Sequence, residues 1–468
     1  MSPLQLDFDA CYRAVSARDP RFDGRFYTAV TTTRIYCRPI CPARTPSSRN
    51  VRFYRHAATA EAAGFRPCKR CRPELSPGDP GWDLRGDLVG RALRLIDDGA
   101  ADEQGVAGLA RRLHITERHL HRLFVAELGV GPLAVARTKR LLLAKQLLTE
   151  TALPVTEVAF AAGFGSVRQF NATMRETYGF TPSELRATAG GPRARTSPDA
   201  GSVTLRLRLH RREPYDAEGV FAFLAARAVP GLEQADTTSY SRSVQGGTIT
   251  LTPRPGHIAL DVAVEDTRQL ARVVARCRRL LDLDADPEAI SDVLGRTSLE
   301  PLVRARPGLR VPGAFDGFEL AVRAVVGQQI SVAGARTLLG RIVARAAAPG
   351  GLFPTPERLL DTDLGGLGLT NRRIATLKDL AAHLADGRLD LDGGQDPAEA
   401  VAALLDVRGI GPWTAGYIAL RALRDPDAWP SGDLVLRKRM ACLGIPEHHT
   451  ERWRPWRAYA ALHLWSSS

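Results

Sequence analysis

Apolar residues recur at helical spacing from roughly Leu84 to Arg186 with few strand signals, so the middle of the chain is expected to be helical. Beyond it, Val203-Thr-Leu-Arg-Leu-Arg-Leu209 alternates residue by residue, as a half-buried strand does. Thr248-Ile-Thr-Leu-Thr252 is a second strand candidate, and helical patterns dominate from about Glu288 onward. Ahead of the helical middle, Met1 to Val15 alternates apolar residues with Asp7 and Asp9 and lacks the apolar core of a signal peptide. No run approaches about 18 uninterrupted apolar residues, so no membrane span or membrane partner is expected. Two stretches read as linkers. Arg72 to Asp83 is dense in Pro and Gly, and Ala187 to Ser202 has no large apolar residue. There is no solenoid repeat, although the middle holds two similar helical units.

The first of those units is Val106 to Phe124, which predicts a helix, a tight turn at His114-Ile115-Thr116, and a second helix with Thr116 as its N-cap. That second helix sets Arg118, His119, His121 and Arg122 beside apolar Leu120, Leu123 and Phe124. The pattern returns at Val155 to Ser166, followed by Val167-Arg-Gln-Phe170. Two helix-turn-helix units with polar recognition helices can enter successive major grooves of DNA, with Arg118 and Arg122 as candidate contacts. His119 and His121 are read as DNA-facing or solvated rather than as metal ligands.

With 468 residues the chain is too long for one ordinary core, and two to four domains are expected. Apolar and charged fractions of 44% and 25% are those expected of a soluble globular protein. Lys and Arg outnumber Asp and Glu by 64 to 51, a net charge of +13 that suits a polyanionic partner. Four of the seven cysteines fall in two close pairs, Cys37-Arg-Pro-Ile-Cys41 and Cys68-Lys-Arg-Cys71. Two knuckles with ligand spacing are what a tetrahedral all-cysteine Zn2+ site requires. With no export signal in view, disulfides are the weaker reading. Cys11, Cys277 and Cys442 are read as buried small apolar side chains.

Around those cysteines stand Asp23-Gly-Arg-Phe26, Thr32-Thr-Arg-Ile-Tyr-Cys37, Asn50-Val-Arg-Phe-Tyr54 and Ala63-Gly-Phe-Arg-Pro-Cys68. The run closely resembles the N-terminal domain of the adaptive-response (Ada) family over about the first 75 residues. The resemblance implies that Cys37 is a methyl acceptor, with Cys41, Cys68 and Cys71 completing the zinc site. A zinc-held thiolate stays deprotonated and nucleophilic, and could take a methyl group from a methyl phosphotriester in DNA. Methylation would remove one negative charge facing the DNA phosphates, so affinity should rise and the site would act as a damage-triggered switch. Arg44, Lys69 and Arg70 are the expected phosphate contacts. The helical middle resembles the AraC-type DNA-binding domain, including Ala162-Gly-Phe164 and Tyr178-Gly-Phe-Thr-Pro182.

Leu404 to Leu420 carries Gly409-Ile-Gly411 between two amphipathic helices, the form of a hairpin whose backbone N–H groups can approach a DNA phosphate. A plain helix-helix turn is the alternative for such a pair of glycines. Downstream lies Trp429-Pro-Ser-Gly-Asp433, followed by Leu434-Val-Leu-Arg437. Hairpin, Gly/Pro-rich loop and Asp together resemble the helix-hairpin-helix glycosylase superfamily. The segments Phe318 to Val332, Gly411-Pro-Trp-Thr-Ala415 and Trp453 to Trp465 resemble 3-methyladenine DNA glycosylase II, a likeness that runs from about Val203 to the end.

By that resemblance Asp433 is the catalytic carboxylate, and it also suits the N-cap of the helix beginning at Leu434. Trp413, Tyr417 and Trp465 match the lining of the base pocket, where electron-rich rings would stack on a cationic alkylated base. Thr414 joins Gly409 and Gly411 as a DNA contact of the hairpin. Gln328 and Gln329 are the candidates for base contact and intercalation; well-known relatives have Leu where Gln329 stands. Bifunctional relatives place a Schiff-base Lys where this chain has Trp413, so lyase chemistry is not expected. The Pro-Cys-His-Arg methyltransferase of the Ada family is absent, and O6-methylguanine repair is not expected.

The expected fold is multidomain and mainly α with α+β parts. It comprises an Ada-type zinc module (1–78), an AraC-type double helix-turn-helix (84–188), a small β-sheet subdomain (202–290) and a helical helix-hairpin-helix glycosylase (291–468). The expected function is excision of alkylated purines such as 3-methyladenine and 7-methylguanine, without lyase activity, joined to methyl-phosphotriester acceptance and transcriptional regulation. The expected partners are alkylated and promoter double-stranded DNA, with RNA polymerase as the further partner of such a regulator, in a nucleoid-associated cytoplasmic setting. The rivals are a regulator whose glycosylase fold only binds DNA, and a pure glycosylase whose front half only localises it.

Overall fold

The computed structural model describes residues 6–78, 88–192 and 203–467. They form two compact units, one of Met1–His210 with Leu260–Ala275 and one of Arg211–Ala259 with Arg276–Ser468. Among the described residues no helix is long and apolar enough to cross a membrane.

Unit 1 opens with helix α1 (Phe8–Ala17), capped by the Asp7 carboxylate on the Ala10 N–H. Strands β1 (Tyr27–Val30), β2 (Ile35–Cys37), β3 (Val51–Tyr54) and β4 (Arg66–Pro67) form a sheet of order β3-β1-β2-β4, and α2 (Ala57–Ala62) packs on it. Its apolar clusters are small: Tyr27, Ala29, Tyr36, Ala57, Ala60 and Phe65 in one, and Cys11, Ala14, Val15 and Phe26 in another. Cores of that size rarely hold a module by themselves, which is why the cysteine knuckles matter to folding as well as chemistry.

Among the described residues seven helices follow: α3 (Leu88–Asp97), α4 (Ala100–Arg112), α5 (Glu117–Leu128), α6 (Pro132–Glu150), α7 (Val155–Ala161), α8 (Val167–Tyr178) and α9 (Pro182–Thr188). Thr116 caps α5 through the His119 N–H, and Ser166 caps α8 through the Gln169 N–H. Each of these helices buries a stripe at helical spacing: Leu120, Phe124 and Leu128 in α5, and Phe170, Met174 and Tyr178 in α8. The long α6 joins the two helix-turn-helix units and also receives the zinc module. Buried Lys145 donates to the Cys68 carbonyl at 3.0 Å and to Glu74 at 2.7 Å. Glu61 of α2 accepts from Tyr36, Thr138 and Tyr178. Burial pushes its carboxyl up against the pull of Thr138 and Tyr36. The described part of the first expected linker is therefore not loose: Pro73–Leu75 is a 3-10 turn with Leu75 buried, and Arg72 bonds Thr149 and Glu150. Residues 79–83 of it, and 193–202 of the second, lie outside the described residues. Strand β5 (Val203–His210) completes this stretch.

Unit 2 begins with α10 (Ala217–Arg227) and strands β6 (Glu233–Ala235), β7 (Tyr240–Val244), β8 (Gly247–Arg254) and β9 (His257–Val264). Their order is β9-β8-β7-β6, with Tyr240 opposite Leu251 and Arg242 opposite Ile249; the residues of β9 from Leu260 count with unit 1, where β5 is their neighbour. Both strands expected from the sequence are present. The rest is helical: α11 (Leu270–Leu280), whose residues through Ala275 count with unit 1, then α12 (Pro287–Leu294), α13 (Glu300–Ala305), α14 (Gly317–Val326), α15 (Val332–Ala346), α16 (Pro356–Asp361), α17 (Asn371–Ala385), α18 (Pro397–Asp406), α19 (Pro412–Arg421), α20 (Leu434–Cys442) and α21 (Arg457–Ser466). One continuous apolar core runs through helices α12 to α21, with residues from Val229 to Leu464 and fully buried Trp453 inside it. Cys11 and Cys277 are buried as expected, but Cys442 is exposed. It ends α20, a helix that buries only Leu436 and Met440.

Candidate active site and zinc centre

Strand pairing in unit 1 builds the cysteine cluster. β2 ends on Cys37 opposite Thr28, and β4 runs parallel to β2 with Tyr36 beside Pro67, so the next residue, Cys68, arrives at the same edge. The Cys68 N–H donates to the Tyr36 carbonyl at 2.9 Å, and a turn from Arg38 O to Cys41 N curls the first knuckle. All four Sγ atoms lie within 4.8 Å of one another. A tetrahedron with Zn–S bonds of 2.3 Å has S···S edges of about 3.8 Å, so the four thiols fit one zinc ion.

Arg38 braces the site. It is paired with buried Asp23, its Nη1 donates to the Cys71 carbonyl at 3.2 Å, and its backbone N–H donates to Cys71 Sγ at 3.3 Å. Cys68 and Cys71 are buried whereas Cys37 and Cys41 are partly open. Arg44 and Arg70 are exposed. Lys69 is exposed too, but its ammonium lies 3.8 Å from the centre of the Phe180 ring and donates to Thr188 Oγ1. On the first recognition helix Arg118 and Arg122 stand exposed, with Arg122 bonded to His119 Nδ1 at 3.0 Å.

The second site lies in unit 2, in a cleft of about 650 Å³ lined by Trp413, Tyr417, Asp433 and Trp465. Three elements deliver these groups. On α19, Trp413, Tyr417 and Arg421 fall at i, i+4 and i+8, one face of a helix, and all three line the cleft. The indole of Trp413 and the ring of Tyr417 are stacked, with centroids 5.6 Å apart and 14° between planes, and Trp465 of α21 stands 6.3 Å from Tyr417.

Asp433 is the N-cap of α20, as its position before Leu434 predicts: Oδ1 accepts the Leu436 N–H at 2.8 Å. The same carboxylate accepts from Trp413 Nε1 at 2.7 Å on Oδ2 and from Trp465 Nε1 at 3.3 Å on Oδ1. It is 8% exposed and fixed by three N–H donors while still facing the cleft.

The hairpin ahead of α19 is formed as expected. Gly409 has φ of +94°, and a Cβ there would stand 2.2 Å from Thr376 Oγ1. Gly411 is the N-cap of α19 and Pro412 its first residue, which leaves first-turn N–H groups without intrahelical acceptors. Gln328 is held by the hairpin itself: Nε2 donates to the Gly409 carbonyl at 3.1 Å and to Thr414 Oγ1 at 2.9 Å. Its neighbour Gln329 is exposed with φ of +57°, next to exposed Ile330 and Val332. Sequence reasoning missed Arg227, Phe223 and Arg421 in the cleft. Helical spacing from Trp413 would have found Arg421, whereas nothing local ties Arg227 to a site that begins far downstream.

A zinc-fitted four-thiolate module, a double helix-turn-helix and a helix-hairpin-helix carboxylate pocket define a DNA-repair protein class that combines regulation with a glycosylase fold. Comparison with known proteins agrees. Three family descriptions match: "Metal binding domain of Ada" over residues 10–74, "Helix-turn-helix domain" over 109–188, and "AlkA N-terminal domain" over 206–316. The chain is 48% identical to the probable bifunctional transcriptional activator/DNA repair enzyme AlkA of Mycobacterium tuberculosis, covering 98% of this chain and 96% of that protein. It is 36% identical to DNA-3-methyladenine glycosylase 2 of Escherichia coli over 55% of this chain and 95% of the relative. To the bifunctional transcriptional activator/DNA repair enzyme Ada of Escherichia coli it is 37% identical over 39% of this chain and 49% of that one. The chain belongs to the family of bifunctional transcriptional activator/DNA repair enzymes represented by AlkA.

Proposed function

We propose that this protein excises alkylated purines from DNA by hydrolysing the N-glycosidic bond, without lyase activity, and that its front half accepts methyl groups from methyl phosphotriesters and regulates promoters. The observation that carries the first activity is the Asp433 carboxylate, held by the two indoles that wall an aromatic cleft. Its pinned negative charge stabilises the oxocarbenium-like sugar or orients a water toward C1′. The C1′–N bond breaks with its electron pair going to the base, so a cationic N3-methyladenine or N7-methylguanine departs neutral and needs no acid. Water supplies the new C1′–O bond, and its proton passes to solvent.

Trp413, Tyr417 and Trp465 hold the flipped ring, and the first-turn N–H groups of α19 with Gly409, Gly411 and Thr414 bind the flanking phosphate. Gln328 braces that hairpin beneath the base, and exposed Gln329 is the candidate to fill the vacated stack.

At the front, the resemblance to the Ada family makes Cys37 the acceptor, and the structure leaves it partly open, as it does Cys41. A bound zinc ion would keep the four sulfurs deprotonated. The S–CH3 bond forms as the methyl C–O bond breaks, and the phosphate oxygen leaves with the electron pair. Arg118 and Arg122 read promoter DNA, and RNA polymerase is the partner that activation would need.

The test is incubation of the purified chain with DNA carrying radiolabelled methyl groups. Label should leave as free methylpurine, and this release should vanish in Asp433→Asn. Label should also become fixed to protein, and this should vanish in Cys37→Ala. If neither pool gains label, both enzymatic readings fail and a DNA-binding regulator is left.

A further inference from the structure

Among the polar groups of the base cleft that the excision chemistry leaves unused is the phenol of Tyr417. Two guanidinium groups act on it. Arg421 donates from Nη1 at 2.9 Å, and the charge of Arg227 acts on the same phenol from the cleft lining. A guanidinium carries N–H donors and no acceptor, so neither arginine can take the phenol's own proton. Nor can Arg421 turn away, because its Nε is held by the Pro312 carbonyl at 2.7 Å and its Nη2 by the Gly313 carbonyl at 2.9 Å. Arg227 is anchored on the Phe223 carbonyl at 3.3 Å, its charge 3.8 Å from the centre of the Phe223 ring. Among the described residues the phenol proton has no acceptor, and the cleft, which Tyr417, Arg227 and Arg421 all line, is the direction left to it.

We propose that the Tyr417 hydroxyl, its oxygen already accepting from Arg421 beside the charge of Arg227, is a hydrogen-bond donor aimed into the base cleft that favours alkylated purines with a carbonyl at ring position 6 over those with an amine there. The inference rests on the excision reading above. A purine whose sugar C1′ sits at Asp433 carries its position-6 edge away from the glycosidic bond, into the interior of the cleft. A guanine-type ring presents an acceptor on that edge, and an adenine-type ring presents an N–H donor. Burial opposes ionisation of the phenol, but the charges of Arg421 and Arg227 outweigh it and hold the pKa below the usual tyrosine value. That makes the O–H a stronger donor. Facing an amine, it would be left unmet in a desolvated pocket, a mismatch that such sites reject more firmly than a missing apolar contact.

The experiment measures single-turnover release of 7-methylguanine and of 3-methyladenine from duplex DNA, using the full-length wild-type chain and Tyr417→Phe. Phe keeps the ring stacked on Trp413 and removes only the hydroxyl. Rates are normalised to folded protein by thermal melting. In Tyr417→Phe the ratio of 7-methylguanine to 3-methyladenine rates should fall by about 10-fold to 100-fold, the effect of losing one hydrogen bond at the base. A wild-type enzyme that releases both bases, with a variant that changes both rates equally or neither, overturns the role of the hydroxyl alone. Wild-type protein that releases neither base overturns the excision reading itself.

Discussion

His463 shows how a single buried side chain ties the stability of unit 2 to pH. It lies on α21 two residues before Trp465 and is 5% exposed. Burial, reinforced by the Arg306 charge and opposed by Asp216, holds its pKa down to about 4. In the unfolded chain the same imidazole titrates near 6.5. The unfolded state therefore takes up the proton first as pH falls, so the stability His463 contributes is complete above about pH 6.5 and is lost progressively toward pH 4, by at most about 3 kcal/mol. Apart from Trp82, every tryptophan of the chain lies at or after Trp413, so denaturant unfolding followed by tryptophan fluorescence reports on unit 2. Its midpoint should drop from pH 7 to pH 5 in the wild type and drop less in His463→Gln. Equal slopes in the two proteins would assign the acid sensitivity elsewhere.

At the scale of elements, Gly409 shows why the hairpin was readable. A glycine pair between two amphipathic helices states a backbone need, and the structure gives its cause in a φ of +94° and a Cβ position already filled by Thr376. Gly409→Ala should destabilise unit 2 by about 2 kcal/mol, from the left-handed backbone and the overpacking together. It should also weaken DNA binding, because the Gln328 amide bonds the Gly409 carbonyl and Thr414. Thermal melting and DNA titration of the one variant check both effects, and an unshifted melting temperature would mean that Thr376 yields freely.

The caps at Thr116 and Asp433 were legible for the same reason, each being a short polar side chain directly before an apolar-periodic run. The sheet of the zinc module was not. Its strands are two to four residues long, too short for alternation to show, and β4 is placed by the cysteine knuckle rather than by an apolar face. Arg72 to Leu75 read as linker because they open a stretch dense in Pro and Gly, yet their charges make contacts: Arg72 and Glu74 find α6, which no local pattern foretells.

At the scale of the whole molecule, the two proposed chemistries belong to different units, and that separation predicts how they respond to metal removal. The four cysteines stand in unit 1 on a module with two small apolar clusters, where a zinc ion would link β2, β4 and the turn that follows. Zinc at such a site contributes folding free energy directly, so a chelator should unfold the module as well as silence Cys37. The loss should spread to α6, since Lys145 is anchored on the Cys68 carbonyl and Arg72 on Thr149. Asp433, Trp413, Tyr417 and Trp465 stand in unit 2 on one large apolar core and take no part in the cysteine cluster. Treatment with a strong chelator should release one zinc per chain, abolish methyl transfer to protein and weaken promoter binding, while single-turnover release of methylpurine stays within about 2-fold of the untreated rate. Atomic absorption, a gel-shift titration and the release assay on the same sample decide it. Parallel collapse of both activities would mean that the glycosylase unit depends on the folded zinc module.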